Sequence, residues 1–66
     1  MKELDLVLEG YLARHYADAS AEDRKAFEAL LELPDTELLY QLTDRIPPAD
    51  EPQARVIEIL RRTAHP

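Results

Sequence analysis

Cysteine and tryptophan are absent from this sequence of 66 residues, and glycine occurs only once. Without cysteine the chain can form neither a disulfide bond nor a thiolate metal site. The length allows one domain, which we expect to span residues 1–66. A domain of this size buries a more modest fraction of its surface than a larger one, so side-chain packing must hold the fold with a thin margin of stability.

Basic residues are also scarce. Eight Lys and Arg stand against fourteen Asp and Glu, which gives a formal net charge of −6. This balance argues against nucleic acid and against an anionic membrane surface, because Lys and Arg supply the affinity for phosphate groups. A partner with a basic patch would suit the chain better. Simple solubility explains the same charge without any partner.

Long apolar runs are missing as well. No segment approaches the roughly 20 apolar residues that span a bilayer. The start has neither the apolar segment of a secretory signal nor the composition of a transit peptide. The sequence therefore predicts a cytoplasmic protein with no membrane partner.

The residues that are abundant favour helices. Leu, Ala, Glu and Arg dominate, and four segments repeat their apolar positions with a helical period, while none alternates like a strand. We expect these helices at residues 2–16, 21–33 and 36–44 and in the segment after Asp50. The predicted fold class is all-α, a small antiparallel helical bundle of four helices.

Each predicted helix carries an apolar stripe that should face a shared core. The positions predicted to point inward are Leu4, Val7, Leu8, Tyr11, Leu12 and His15, then Phe27, Leu30 and Leu31, then Leu38, Leu39 and Leu42, and finally Val56, Ile57 and Leu60. Gly10 lies inside the first helix, where glycine costs up to about 1 kcal/mol relative to alanine. It marks either a close contact between helices or nothing.

Polar residues and prolines mark where the helices begin and end. Ser20 is a good N-cap for the second helix, and Asp23 three residues later makes a shortened capping box. Pro34 should stop that helix, because the residue before a proline is pushed out of the helical region. Asp35 and Asp50 are expected to cap the third and fourth helices.

Groups that could carry catalysis are few. The single serine, Ser20, reads better as a helix cap than as a nucleophile, since no Gly-x-Ser-x-Gly elbow surrounds it. His15 and His65 are far apart in sequence and lack metal-ligand spacing. His65 is expected in or just after the last turn of the fourth helix. One glycine cannot build a phosphate-binding loop. We therefore predict no enzyme, no cofactor and no metal ion.

Several motifs, in order, resemble one family. Met1-Lys2-Glu3-Leu4-Asp5-Leu6 is similar to the Arg-Gly-Met-x-Glu-Leu-Asp stretch of the SdhE family, the flavinylation factors of succinate dehydrogenase. Tyr16 fits the tyrosine that ends the first long helix of that family. The further matches follow without a gap: Ser20-Ala21-Glu22-Asp23, Phe27-Glu28-Ala29-Leu30-Leu31-Glu32, Asp35 with Leu38, and Pro48-Ala49-Asp50.

This resemblance implies a function in assembly. Members of the family are small bundles of about five helices. They bind the flavoprotein subunit of succinate dehydrogenase, and often that of fumarate reductase, and promote covalent attachment of FAD to a histidine of that subunit. They act as chaperones and leave the chemistry to the subunit. Carried over to this sequence, Glu3 is the candidate contact to the flavoprotein subunit, and Asp5 and Leu6 widen that contact.

The sequence departs from the family pattern in several places. Of the family signature Arg-Gly-x-x-Glu only the glutamate, Glu3, is present. The short helix before that motif is also absent, so we expect four helices where the full-length family has five, and a true start upstream or a trimmed chain. Gln41 stands where the family often has tryptophan, and Ile46 stands where it usually has a loop glycine.

Other interpretations of the same residues stay open. On residue type alone, Glu3 and Asp5 simply complement the dipole of the first helix. The chain could also be an antitoxin-like partner of another small protein, an annotation that some family members carry. A third interpretation is a generic helical interaction module whose apolar stripe a partner helix completes. The expected oligomeric state is a monomer or a weak homodimer.

Overall fold

The computed structural model describes residues 2–64, and this part of the chain contains four α-helices and no strand. The helices are α1 (Lys2–Arg14), α2 (Ala21–Leu31), α3 (Asp35–Leu42) and α4 (Glu51–Ala64), and a short 3₁₀ turn, Tyr16–Asp18, follows α1. The predicted all-α fold with four helices is confirmed. Helices α1 and α2 each end two residues earlier than predicted. His65, expected near the end of α4, lies outside the described residues.

Helix α4 lies at the centre of the fold and packs against each of the other three helices. The radius of gyration is 10.6 Å, close to the value of about 11 Å expected for a folded chain of this length. The buried core consists of Leu4, Tyr11, Ala26, Phe27, Leu30, Leu38, Val56, Ile57 and Leu60. Every helix contributes to this core, so the predicted apolar stripes do meet.

Two leucines predicted to point inward lie at the surface. Leu12 and Leu31 are each 48% exposed. Each follows a fully buried residue, Tyr11 or Leu30, and is turned about 100° away from it around the helix. The buried stripes of α1 and α2 are therefore narrower than the sequence pattern suggested.

Two of the predicted helix caps are confirmed. The hydroxyl of Ser20 accepts a hydrogen bond from the backbone N–H of Asp23 at 3.2 Å. The carboxylate of Asp50 accepts one from the backbone N–H of Gln53 at 2.9 Å. Both bonds satisfy amide groups that would otherwise have no partner in the first turn of a helix. The starts of α2 and α4 are thus fixed by local sequence.

The prediction that Asp35 caps α3 was wrong. The capping position belongs to Pro34, whose side chain makes no cap hydrogen bond, and Asp35 is the first residue of the helix. Proline tolerates this boundary because its extended backbone leads into the helix, and a carboxylate in the first turn complements the helix dipole. The acidic residue therefore acts one position later than expected.

The end of α3 is closed by a backbone motif. Asp44 has a positive φ of 64°. Its N–H donates to the carbonyl of Gln41 at 3.4 Å, and the N–H of Arg45 donates to the carbonyl of Tyr40 at 2.8 Å. This pair of bonds is a Schellman motif, in which one left-handed residue reverses the chain after a helix. Asp44 is in the left-handed position that glycine most often occupies.

Aromatic rings connect α1 to α2. The rings of Tyr11 and Phe27 stack with their centroids 4.4 Å apart, and Tyr16 is tilted against Phe27 at 5.8 Å. The hydroxyl of Tyr11 is buried and has no hydrogen-bond partner among the described residues. Burial raises the pKa of Tyr11 above its ordinary value. The hydroxyl of Tyr16 donates to Glu28 at 3.1 Å, and this bond raises the pKa of Tyr16.

Candidate functional site

The first two turns of α1 share a face with the last turn of α4. Glu3, Leu6 and Val7 are three and four residues apart, a spacing that places side chains on one side of a helix. Together with Thr63 they line an open groove of about 370 Å³. Residues from the two ends of the described chain therefore form one surface.

Gly10 brings the two helices of this surface close together. A Cβ atom at Gly10 would lie 3.0 Å from the Cγ2 atom of Thr63, which is tighter than ordinary van der Waals contact. The hydroxyl of Thr63 donates to the carbonyl of Ile59 at 3.0 Å. The interpretation of Gly10 as the mark of a close helix contact is confirmed. We call this contact between Gly10 and Thr63 the seam between α1 and α4, and we expect it to depend on the absence of a side chain at position 10.

Arg61 holds the last turns of α4 against the end of α3. Its guanidinium donates to the carbonyls of Leu42 at 2.9 Å and Gln41 at 3.0 Å and pairs with the carboxylate of Asp44. Carbonyls in the last turn of a helix have no partner inside the helix, and a cation also complements the dipole there. Arg61 thereby fixes the segment of α4 that carries Thr63.

The groove combines an exposed apolar side chain with a free charge. Leu6 is 63% exposed, more than any other large hydrophobic residue in the described part of the chain. The carboxylate of Glu3 is exposed, and no ion pair within the described residues involves it. An exposed apolar side chain beside a free acid fits a partner surface with an apolar group next to a basic one.

The structure brings together two of the three residues predicted to bind a partner. Glu3 and Leu6 line the same groove. Asp5 is exposed, but it is rotated about 200° from Glu3 around α1, so it lies toward the opposite side of the helix. Sequence reasoning assigned Val7 to the core and did not single out Thr63. The lone glycine at position 10 was the one available signal for the approach of α4.

The histidine and acidic side chains of the described residues do not cluster into a metal site. Among residues 2–64 no group of three or more His, Asp or Glu side chains is placed to hold a metal ion. His15 is half-buried beside the ring of Tyr11, with ring centroids 5.7 Å apart, which agrees with its predicted position at the edge of the core. Across the same span, no helix has the length and apolar character needed to cross a membrane.

Comparison with known proteins gives two matches. Residues 1–64 match the model of a protein family described as "Flavinator of succinate dehydrogenase". A curated relative, the FAD assembly factor SdhE of Methylococcus capsulatus, is 41% identical over 61 residues. The match covers 92% of this chain and 74% of that relative. No solved structure matches the chain.

Proposed function

Because the chain belongs to the family of flavinators of succinate dehydrogenase, we propose that it binds the flavoprotein subunit of that enzyme. In this proposal the bound chain promotes covalent attachment of FAD to the subunit. The name of the relative from Methylococcus capsulatus, FAD assembly factor, supports the same role. The flavoprotein subunit of fumarate reductase is a second candidate partner of the same kind. The cytoplasmic location expected from the sequence stays a prediction.

The groove between α1 and α4 is the proposed docking surface. The observation that carries this proposal is the exposed Leu6 beside Glu3, which has no ion-pair partner among the described residues. Leu6 would cover an apolar group of the subunit, and Glu3 would accept charge-assisted hydrogen bonds from an arginine or from backbone N–H groups. Asp5 lies away from the groove, and we propose that it contributes to the rim of the contact.

We propose that the chain acts by binding, as an assembly chaperone, and not as the catalyst. The flavoprotein subunit and FAD would supply the atoms that form the covalent bond. A bound partner stabilises the conformation of the subunit that it prefers. The function would then depend on how tightly the groove between α1 and α4 binds the subunit. It would not need a side chain of this chain that transfers a proton or attacks FAD.

Covalent flavin incorporation tests this function. The apo flavoprotein subunit is incubated with FAD, with and without this chain, and covalent flavin is read as in-gel fluorescence while binding is measured by calorimetry. We expect the chain to stimulate incorporation and Glu3→Ala to weaken binding about tenfold or more, as for loss of a charged hydrogen bond. Glu37→Ala is the matched control, because Glu37 is an exposed acid in the first turn of α3, as Glu3 is in α1, and no residue of α3 lines the groove.

Each outcome of this experiment has a distinct meaning. Stimulation that Glu3→Ala lowers and Glu37→Ala leaves unchanged supports both the function and the surface. Stimulation that neither variant alters rejects the surface but keeps the function. A chain that neither binds the subunit nor stimulates incorporation contradicts the proposed function.

A further inference from the structure

A second groove lies at the opposite end of α4, between α2 and the start of α4. Its volume is about 350 Å³. Small and apolar side chains, those of Ala26, Ala29 and Pro52, line part of it. No large side chain of residues 3–63 fills this space, so an apolar side chain from outside could be accommodated there.

One buried polar group faces this groove with an unused donor. Gln53 lines the groove and is only 7% exposed. Its side-chain oxygen accepts a hydrogen bond from the backbone N–H of Ala49 at 2.7 Å, which fixes the orientation of the amide. The Nε2 group has no hydrogen-bond partner among the described residues, and it is not one of the fully enclosed polar atoms. It therefore keeps contact with solvent, and a carbonyl oxygen would satisfy it.

The rim of the groove is more acidic than basic. Glu22 and Asp50 contribute two carboxylates and Lys25 one ammonium group. Glu22 is mostly exposed, and its one ion-pair contact within the described structure is a long one of 3.7 Å with Arg55. The guanidinium of Arg55 is bonded to Asp23 at 2.9 Å. The carboxylate of Glu22 is therefore available to a cation from outside, and an acidic ligand would meet net repulsion.

We propose that this groove binds a short, extended peptide segment of a partner protein, with an apolar side chain next to an arginine or lysine. The apolar side chain would rest on Ala26 and Ala29, and a backbone carbonyl of the peptide would accept the free N–H of Gln53. The basic side chain would pair with Glu22. This site is separate from the groove between α1 and α4, and the proposal does not depend on the proposed function.

Titration with synthetic peptides tests the site in the full chain. The probe is acetyl-Ala-Leu-Arg-Ala-amide, and its match is the same peptide with Glu in place of Arg. We expect saturable changes in the NMR signals of Ala29 and of the side-chain amide of Gln53, with a dissociation constant on the order of 1 mM. The glutamate peptide should bind at least about threefold more weakly. Equal binding of both peptides, or signal changes on another face, overturns the proposal.

Two pairs of variants identify the contacts. Ala29→Leu fills the groove and should weaken binding at least about fivefold by steric exclusion, whereas Ala13→Leu makes the same change on an exposed position of α1. Glu22→Gln should weaken binding about two- to fivefold, and Glu32→Gln is its control on an exposed acid of the same region. If Ala29→Leu binds the arginine peptide as well as the unaltered chain does, the proposal is wrong.

Discussion

The two ends of α4 form grooves of similar volume but different chemistry. At the C-terminal end, Leu6 projects into solvent beside Glu3, whose carboxylate forms no ion pair with the described residues. At the N-terminal end, alanines line part of the space. The side-chain oxygen and the backbone N–H of Gln53 are hydrogen-bonded, whereas its Nε2 group has no partner among the described residues. The volume of a groove therefore says little about its affinity. A large exposed apolar residue and an unpaired charge favour a strong protein contact, whereas small side chains favour a weak one.

The two ends are also held in different ways. Arg61 at the C-terminal end bonds to main-chain carbonyls of α3, and its side chain is 28% exposed. Arg55 at the N-terminal end bonds to the carboxylate of Asp23, and its side chain is 49% exposed. That bond raises the pKa of Arg55 above its ordinary value, although an arginine is protonated at any ordinary pH even without such a bond. The first arrangement replaces missing helix partners, and the second is an ion pair that water can replace.

Removing the two arginines should give the largest and most informative difference. Arg61→Met removes two hydrogen bonds to carbonyls of α3: the Leu42 carbonyl loses its partner in the described structure, and the Gln41 carbonyl keeps only the long bond from Asp44. The free energy of unfolding should fall by about 2 kcal/mol. Arg55→Met removes a half-exposed ion pair that water can replace, so it should lower the free energy of unfolding clearly less than Arg61→Met does. Arg62→Met, at an exposed position of the same helix, should change stability by less than about 0.5 kcal/mol. Urea unfolding followed by circular dichroism measures all three, and equal losses for Arg61 and Arg55 would contradict the distinction.

The seam at the C-terminal end allows a smaller test. Gly10→Ala gains helix propensity of up to about 1 kcal/mol, but its Cβ would crowd the methyl group of Thr63. Thr63→Ser removes that methyl group and retains the hydroxyl that bonds to Ile59. We therefore expect Gly10→Ala to be more favourable in the Thr63→Ser background by about 0.5–1 kcal/mol. Thermal unfolding of the four proteins of this cycle measures the coupling, and simple additivity would show that the contact is not tight.

The smallest expected effect comes from Tyr11, which lies in the buried core and lines neither groove. Tyr11→Phe removes a buried hydroxyl that has no partner in the described structure while it retains the ring that stacks on Phe27. Because an unsatisfied buried polar group is costly, we expect the variant to be as stable as the unaltered chain or up to about 1 kcal/mol more stable at pH 7. Binding at both grooves should not change. A clear loss of stability would mean that the hydroxyl has a partner in solution.

Alkaline pH offers a second measurement on the same residue. Burial raises the folded-state pKa of Tyr11 above its ordinary value of 10.0. The folded state therefore favours the protonated form of Tyr11 more than the unfolded state does. This contribution to stability is complete below the unfolded-state pKa of about 10 and is lost as the pH rises through the folded-state pKa. Tyr16 contributes in the same direction through its bond to Glu28. The free energy of unfolding should therefore fall above about pH 10, and it should fall less steeply in Tyr11→Phe. An equal fall in both proteins would show that the titration of Tyr11 is not coupled to folding.

Local sequence was sufficient for much of the fold. Ser20 and Asp50 were identified as caps because a cap bond joins residues only three apart. The spacing of apolar residues correctly placed Phe27 and Leu60 in the core. This spacing can be read within a single helix, because it compares only residues in neighbouring turns. Gly10 was recognised as unusual, although its partner helix was not.

Contacts between distant segments could not be predicted in this way. Thr63 joins Glu3 in one groove only after α4 has packed against α1. The exposure of Leu12 depends on how wide a stripe its neighbours cover. Asp23, expected to complete a capping box, has its carboxylate bonded to Arg55 across 32 residues of sequence. Each of these outcomes depends on tertiary packing, which a helical period does not contain.

The central position of α4 also bears on how the protein is made. Helices α1, α2 and α3 contain 13, 11 and 8 residues, and isolated helices of this length are marginal in water. Each of them packs against α4, which follows them in the sequence. During synthesis from the N-terminus, the earlier helices therefore lack their common packing partner until α4 has left the ribosome. Until then the exposed apolar stripes of the nascent chain would be open to chaperones, and folding should be completed in one late cooperative step.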